Sequence, residues 1–353
     1  MDPNSLNLIK GAAGGGGYEG DIAVAHHTSP YIAVYPWSSG FGTKYSDPST
    51  LPAGNGMGVA FTPDGADLAV AHFNSPYISV YPWSSGFGTK YADPSTPPTG
   101  GGQNVAFSPD GADIAVAHNS SPYISVYPWS SGFGTKYANP SPLPLNHADA
   151  VAFSPDGADI AVTHGRWDPP YITISVYAWS SGFGTKYSDP STLSAEYSMG
   201  CCFSPDGADL AVVHDNSPYI SVYPWSSGFG TKYADPSTTP TGIGRAVAFS
   251  PDGTVLAVAH SGYPYITAYP WSSGFGTKYS DPSTLPTATS VGRGVAFTPD
   301  GADIAVTHWD DSSYWLPSIS VYRWSSGFGT KYSNPSTPVN WYTMGCCFSP
   351  AAA

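Results

Sequence analysis

Charge is scarce in this sequence. Charged residues make up only 10% of the chain, and glutamate occurs just twice, at Glu19 and Glu196. The 12 Lys and Arg are outnumbered by 25 Asp and Glu, giving a formal net charge of −13. Seven of the lysines are spread evenly along the chain, so the clustered basic stripe that a nucleic-acid partner requires is missing. No apolar run is long enough to span a bilayer, which argues against membrane insertion. The first residues lack both the basic start and the continuous apolar core of a secretory signal. With five glycines between Gly11 and Gly17, residues 1–20 are expected to form a flexible leader. Cysteine is limited to two copies of M-G-C-C-F-S-P, at Cys201/Cys202 and Cys346/Cys347, where other copies carry Val-Ala. Neighbours on a strand point to opposite faces, so these are expected to be unpaired core thiols in a chain that folds in a reducing compartment.

What the chain has in abundance is repetition. The octapeptide S-S-G-F-G-T-K-Y occurs seven times without a substitution, starting at Ser38, Ser84, Ser130, Ser180, Ser226, Ser272 and Ser325. Steps of 46 to 53 residues between copies mean one supersecondary unit repeated, each too small to bury its own apolar face. Gly (40) and Pro (36) are plentiful, no helical periodicity is visible, and β-branched and aromatic residues fill the units. In residues 59–93, Val59-Ala60-Phe61 opens a short strand closed by a Pro-Asp-Gly turn. Asp67–His72 reads as a strand apolar on both faces and Tyr77–Trp83 as a third, with Pro82 removing a ladder donor near its end. Residues 89–92 are expected as an outer strand whose Lys90 protects the edge.

This order of turn and four strands, with V-A-F-S-P-D-G leading each unit and a Trp closing every third strand, resembles the WD-repeat class of β-propellers. The Asp that follows the Trp in that family is Ser here, and no Gly-His pair precedes the first strand. The expected architecture is therefore all-β: a seven-bladed β-propeller over residues 21–349, four antiparallel strands per blade, with a short tail at 350–353. The first strand type arrives for the seventh time only at Cys346-Cys347-Phe348, so this strand is expected to pair with Asp21–His26 and close the ring.

The copies provide their own internal comparison. The first turn and the segment holding the octapeptide have constant length, and every insertion falls on loops that share the other face of the disc. That variable face carries Gln103-Asn104, Asn146-His147 and Glu196-Tyr197. The candidate binding residues are Arg166, Trp167, Asp168, Tyr197, Arg245, Arg293, Trp309, Asp310, Asp311, Tyr314, Trp315, Trp341 and Tyr342. Trp309, Tyr314, Trp315, Trp341 and Tyr342 are expected to form one aromatic cluster flanked by Asp310 and Asp311. Seven histidines end the second strands, too far apart to share a metal ion, and read as structural. In the repeated P-D-G-A-D, the first Asp reads as turn chemistry and the second as a hairpin cap, not as a calcium loop. Neither a cofactor nor a metal is expected.

Glu196 and Asp310/Asp311 offer no acid–base pair that spacing can identify, so a non-enzymatic role is expected. The near-identity of the copies and their Gly-rich leader resemble propeller modules in virion proteins of tailed bacteriophages. That resemblance implies a virion component, on tail or capsid and assembled in the host cytoplasm, binding other virion proteins or a host-surface receptor or glycan. A soluble bacterial lectin or protein-interaction scaffold in the cytoplasm is the alternative.

Overall fold

The computed structural model describes residues 17–165, 173–192, 197–286, 290–310, 318–339 and 342–351. These form 23 strands in seven antiparallel sheets, and no helix among the described residues. Blade 1 comprises Thr343–Phe348, Glu19–His26 and Ile32–Ser38. Blades 2 to 6 begin at Gly56, Gly102, Ala148, Ser198 and Gly244, and blade 7 spans Ser290 to Lys331. The first strand of each blade lies against the first strands of its two neighbours around a closed ring. The chain is a seven-bladed propeller.

The expected closing pair forms, with Ile22 opposite Phe348, Ala23 opposite Cys347 and Val24 opposite Cys346. Tyr18 fastens the joint further, its hydroxyl donating to the Ser349 carbonyl at 2.7 Å while Ser349 Oγ accepts the Asp21 N–H at 3.0 Å. Second strands such as Leu68–Ala71 are fully enclosed, because a sheet sandwiched between two others buries both faces. All four cysteines are free, and burial pushes the Cys201 and Cys346 thiols up to about 12.

Among the described residues, two blades have a complete outer strand, Phe183–Lys186 and Phe328–Lys331. In the other five the fourth strand is reduced to a bridge, such as Trp83 with Phe87. The five reduced blades carry Pro36, Pro82, Pro128, Pro224 or Pro270 in the third strand, whereas the two complete ones have Ala178 and Arg323. Proline has no N–H for the outer strand, so one residue type decides the fourth ladder.

The second Asp of each P-D-G-A-D is not simply a hairpin cap. Asp21, at the equivalent position of blade 1, shows the arrangement: its Oδ2 accepts Trp83 Nε1–H from blade 2 at 2.8 Å, and Oδ1 accepts the Tyr45 hydroxyl at 2.9 Å. The same clip joins Trp129 and Tyr91 to Asp67, and Trp271 and Tyr233 to Asp209. Each Trp ring is also held edge-on by neighbours, as Trp83 is by Phe87 at 5.0 Å and Tyr45 at 5.1 Å. Blade 6 has Val255 at the clip position, so the seam facing Trp324 of blade 7 offers no carboxylate there.

The histidines are structural. His72 Nε2 is hydrogen-bonded to Ser79 Oγ at 3.0 Å, and His118, His164, His214, His260 and His308 make the equivalent bond to a third-strand Ser or Thr at 2.8 to 3.1 Å. Blade 1 has Ala33 where the others have that Ser or Thr, and His26 Nδ1 is hydrogen-bonded to Thr28 Oγ1 at 3.3 Å instead.

Candidate functional site

The first strands line the propeller axis, and the position four residues before each first-strand Phe faces its mouth on the variable side. Round the ring from blade 1 this position holds Met344, Met57, Gln103, Asp149, Met199, Arg245 and Arg293, lining a cavity of about 320 Å³. The scaffold repeats seven times, but this ring does not. Its polar side chains are concentrated in blades 3, 4, 6 and 7.

Asp149 is the centre of the polar sector. Tyr197, on the segment leading into blade 5, directs its hydroxyl at Asp149 Oδ1 over 3.4 Å, and the same hydroxyl is hydrogen-bonded to His147 Nε2. His147 Nε2 lies 3.6 Å from Asp149 Oδ2. Burial raises the Asp149 carboxyl to about 7, against the opposing pull of the Tyr197 hydrogen bond and the Arg245 charge. Burial likewise raises Tyr197 and lowers His147, so tyrosine and imidazole are both held neutral at pH 7. Burial lowers Arg245 while Tyr197, Asp149 and Asp215 act the other way; a guanidinium remains protonated in such a site. Arg245 Nη1 donates to Met199 Sδ at 3.0 Å. Arg245 Nε and Asp149 Oδ2 are enclosed and make no hydrogen bond among the described residues.

Local sequence explains why two rings meet here. Gly165 follows the second-strand His of blade 4, where the other blades have His27, Phe73, Asn119, Asp215, Ser261 and Trp309. A Cβ on Gly165 would sit 2.4 Å from the Tyr197 ring and 2.8 Å from His147 Cε1, so any side chain would drive them apart. Asp215 holds the other side, its Oδ1 accepting the Tyr197 N–H at 3.2 Å.

Among the residues expected to bind, Tyr197, Arg245 and Arg293 come together at this mouth. Trp309 and Tyr342 meet edge to face at 4.2 Å, and the Arg293 guanidinium lies 4.4 Å from the centre of the Trp309 ring. This places the pair beside the mouth. Arg166, Trp167, Asp168, Asp311, Tyr314, Trp315 and Trp341 lie outside the described residues, and Asp310 is described only as the last residue of its strand. The binding set expected from sequence omits His147 and Asp149. Their signal is internal: aligning the copies on the first-strand Phe places Asp149 in a column with two arginines and three methionines.

No known sequence family and no curated protein matches the chain by sequence. Solved structures do resemble it. A Bacteroides uniformis protein provisionally named a 6-phosphogluconolactonase has 17% identity and a TM-score of 0.68, over 94% of this chain and 100% of the other. A Bacteroides fragilis protein with the same provisional name has 14% identity and a TM-score of 0.69, over 98% of this chain and 99% of its own. The periplasmic gluconolactonase of Pseudomonas aeruginosa has 17% identity and a TM-score of 0.69, over 94% and 99%. At these identities the likeness carries the propeller fold.

Two expectations are corrected by these findings. The virion component, with its lectin or scaffold alternative, gives way because these solved structures bear the names of lactonases, not of phage proteins. The non-enzymatic role falls with it, since those names are enzymes and the mouth holds a carboxyl near neutrality beside a hydroxyl and two arginines. Glu196 and Asp310/Asp311 stand out in sequence because they fall outside the repeated aspartates. Asp149 was hidden by the many repeated aspartates.

Proposed function

We propose that this protein is a lactone hydrolase that opens an anionic cyclic ester at the axial mouth on its variable face. The observation that carries this reading is Asp149, a carboxyl with an enclosed Oδ2, raised to about 7, beside the Tyr197 hydroxyl. A carboxylate with that affinity for protons is matched to taking one from water near neutral pH. Water then bonds to the lactone carbonyl carbon while its proton passes to Asp149. The oxyanion that develops is stabilised by the Tyr197 hydroxyl and the nearby Arg245 charge. When the ring C–O bond breaks, the leaving oxygen takes a proton back from the Asp149–Tyr197–His147 cluster, and the product is a hydroxy acid. Arg245 and Arg293 hold the anionic substituent, and enclosed Arg245 Nε has a hydrogen bond to give it. The names of the structurally similar proteins support the same reaction class.

The test is lactone opening followed in a pH-stat, with glucono-δ-lactone and its 6-phosphate as first substrates. Asp149→Asn should lower kcat by about 100-fold or more while the thermal midpoint stays close to wild type. Rates for wild type no faster than spontaneous opening across a panel of anionic lactones, or an Asp149→Asn variant with undiminished kcat, would overturn the reading.

A further inference from the structure

The mouth has two chemically different walls. Asp149 stands in blade 4, and blades 1 and 2, on the far side of Gln103 in blade 3, present Met344 and Met57 as neighbours. Three of the chain's four methionines occupy this single position of the repeat, while the position carries no Leu, Val or Ile in any copy. Met199 is engaged by Arg245, but Met344 and Met57 sit side by side, half-buried, with Val59 and Cys346 also lining the cavity. Directly after them come Gly345 and Gly58, which add no polar group to this wall. A thioether is flexible and polarizable and moulds itself to apolar groups. It donates no hydrogen bond and accepts only weakly. A sugar hydroxyl pressed against this wall would give up water and find no adequate partner, which costs affinity.

We infer that Met57 and Met344 select a lactone acid that turns bare or alkyl-substituted ring carbons to this wall, in place of the hydroxyl-bearing ring of a sugar lactone. The inference rests on the lactonase reading and narrows it. The reacting carbonyl meets the Asp149 wall, the anion meets Arg245 and Arg293, and the remaining edge of the ring is apolar.

Two matched substrates isolate the wall: 6-phosphoglucono-δ-lactone, and the same phosphorylated δ-lactone without its ring hydroxyls. Reacting group and anion are identical in both. Wild type should open the dehydroxylated lactone with a kcat/KM about tenfold higher, a margin typical of one apolar contact in a specificity pocket. In the Met57→Gln/Met344→Gln double variant the ratio should fall to about one or below, with an unchanged thermal midpoint. A wild-type preference for the hydroxylated lactone, or a ratio the double variant leaves alone, would overturn the inference while leaving lactone hydrolysis standing. If neither lactone is opened, the lactonase reading fails, and calorimetric binding of the two ring-opened acids judges the wall by itself. Tighter binding of the dehydroxylated acid, lost in the double variant, supports it; equal or reversed affinities refute it.

Discussion

Asp110 and Asp149 sit on adjacent blades and live under opposite rules. Asp110 lies in the constant-face turn of blade 3, where the Ser108 hydroxyl at 2.6 Å and the Ala112 N–H at 3.0 Å hold its carboxyl below the ordinary carboxylate value. Asp156 and Asp206 repeat that environment, with Ser154 and Ser204 as the main cause. Asp149, at the axial mouth, is instead raised by burial to about 7. On the constant face these carboxylates have local hydroxyl and N–H partners, so each simply completes a turn. At the mouth the repeat is broken, enclosed polar atoms are left for a ligand, and protonation is poised near neutrality. Sevenfold regularity therefore builds the scaffold, and departures from it build the site.

The largest effect expected from the regular part is its response to acid. Burial lowers His26, His72, His118, His214 and His260 to about 4. Unfolded histidines bind protons from about pH 6.5 downward, while the folded ones resist until about pH 4. Stability from neutral burial is thus complete above pH 6.5 and is lost as pH falls towards 4. Each histidine contributes about 1.4 kcal/mol per pH unit in that window, so the loss should be on the order of 5 kcal/mol by pH 5.5. Urea midpoints at pH 7, 6 and 5 measure it directly; a flat profile would mean that these rings are not buried neutral.

A smaller effect comes from one clip. Trp129 is 5% exposed and donates to Asp67 of the preceding blade at 2.9 Å. Trp129→Ala should cost about 3–5 kcal/mol in unfolding free energy, whereas a mouth substitution such as Arg245→Gln should reduce turnover and leave stability nearly unchanged. If both variants moved stability alike, the division between scaffold and site would collapse. The smallest effect sharpens the comparison within the scaffold. Val255→Asp should give Trp324 and Tyr279 the carboxylate that the other seams have and raise stability by about 1 kcal/mol. A destabilised variant would show that the blade 6–7 seam is packed around the valine.

Much of this architecture was legible because a propeller writes its strands into the period of the sequence. The closing strand at Cys346–Phe348, the enclosed second strands and the structural histidines all follow from local pattern. The Trp–Asp clip was not legible, since it joins residues 62 apart that belong to different blades. The reduced outer strands are not legible because Pro82 reads as the end of its own strand, while its effect falls on the partner that its missing N–H cannot hold. At the site, loop variability points to Tyr197, Arg245 and Arg293, while His147 lies on the variable face with no sequence feature that ties it to them. Asp149 looked like one more repeated Asp in a chain full of them. Asp67 and its equivalents are buried too, but each accepts from a Trp and a Tyr. What distinguishes Asp149 is an enclosed Oδ2 without such a donor, a property of seven blades meeting at an axis that no single copy encodes.

The account stands most directly on the protonation of that one side chain. Titration of the carboxyl carbons by ¹³C NMR, with Asp149→Asn used to assign the resonance by its disappearance, measures it without any substrate. The account predicts a single aspartate titrating near pH 7, absent from the variant, while Asp110 titrates below the ordinary carboxylate range. An Asp149 resonance that titrates with the bulk of the carboxylates near pH 4 would contradict it.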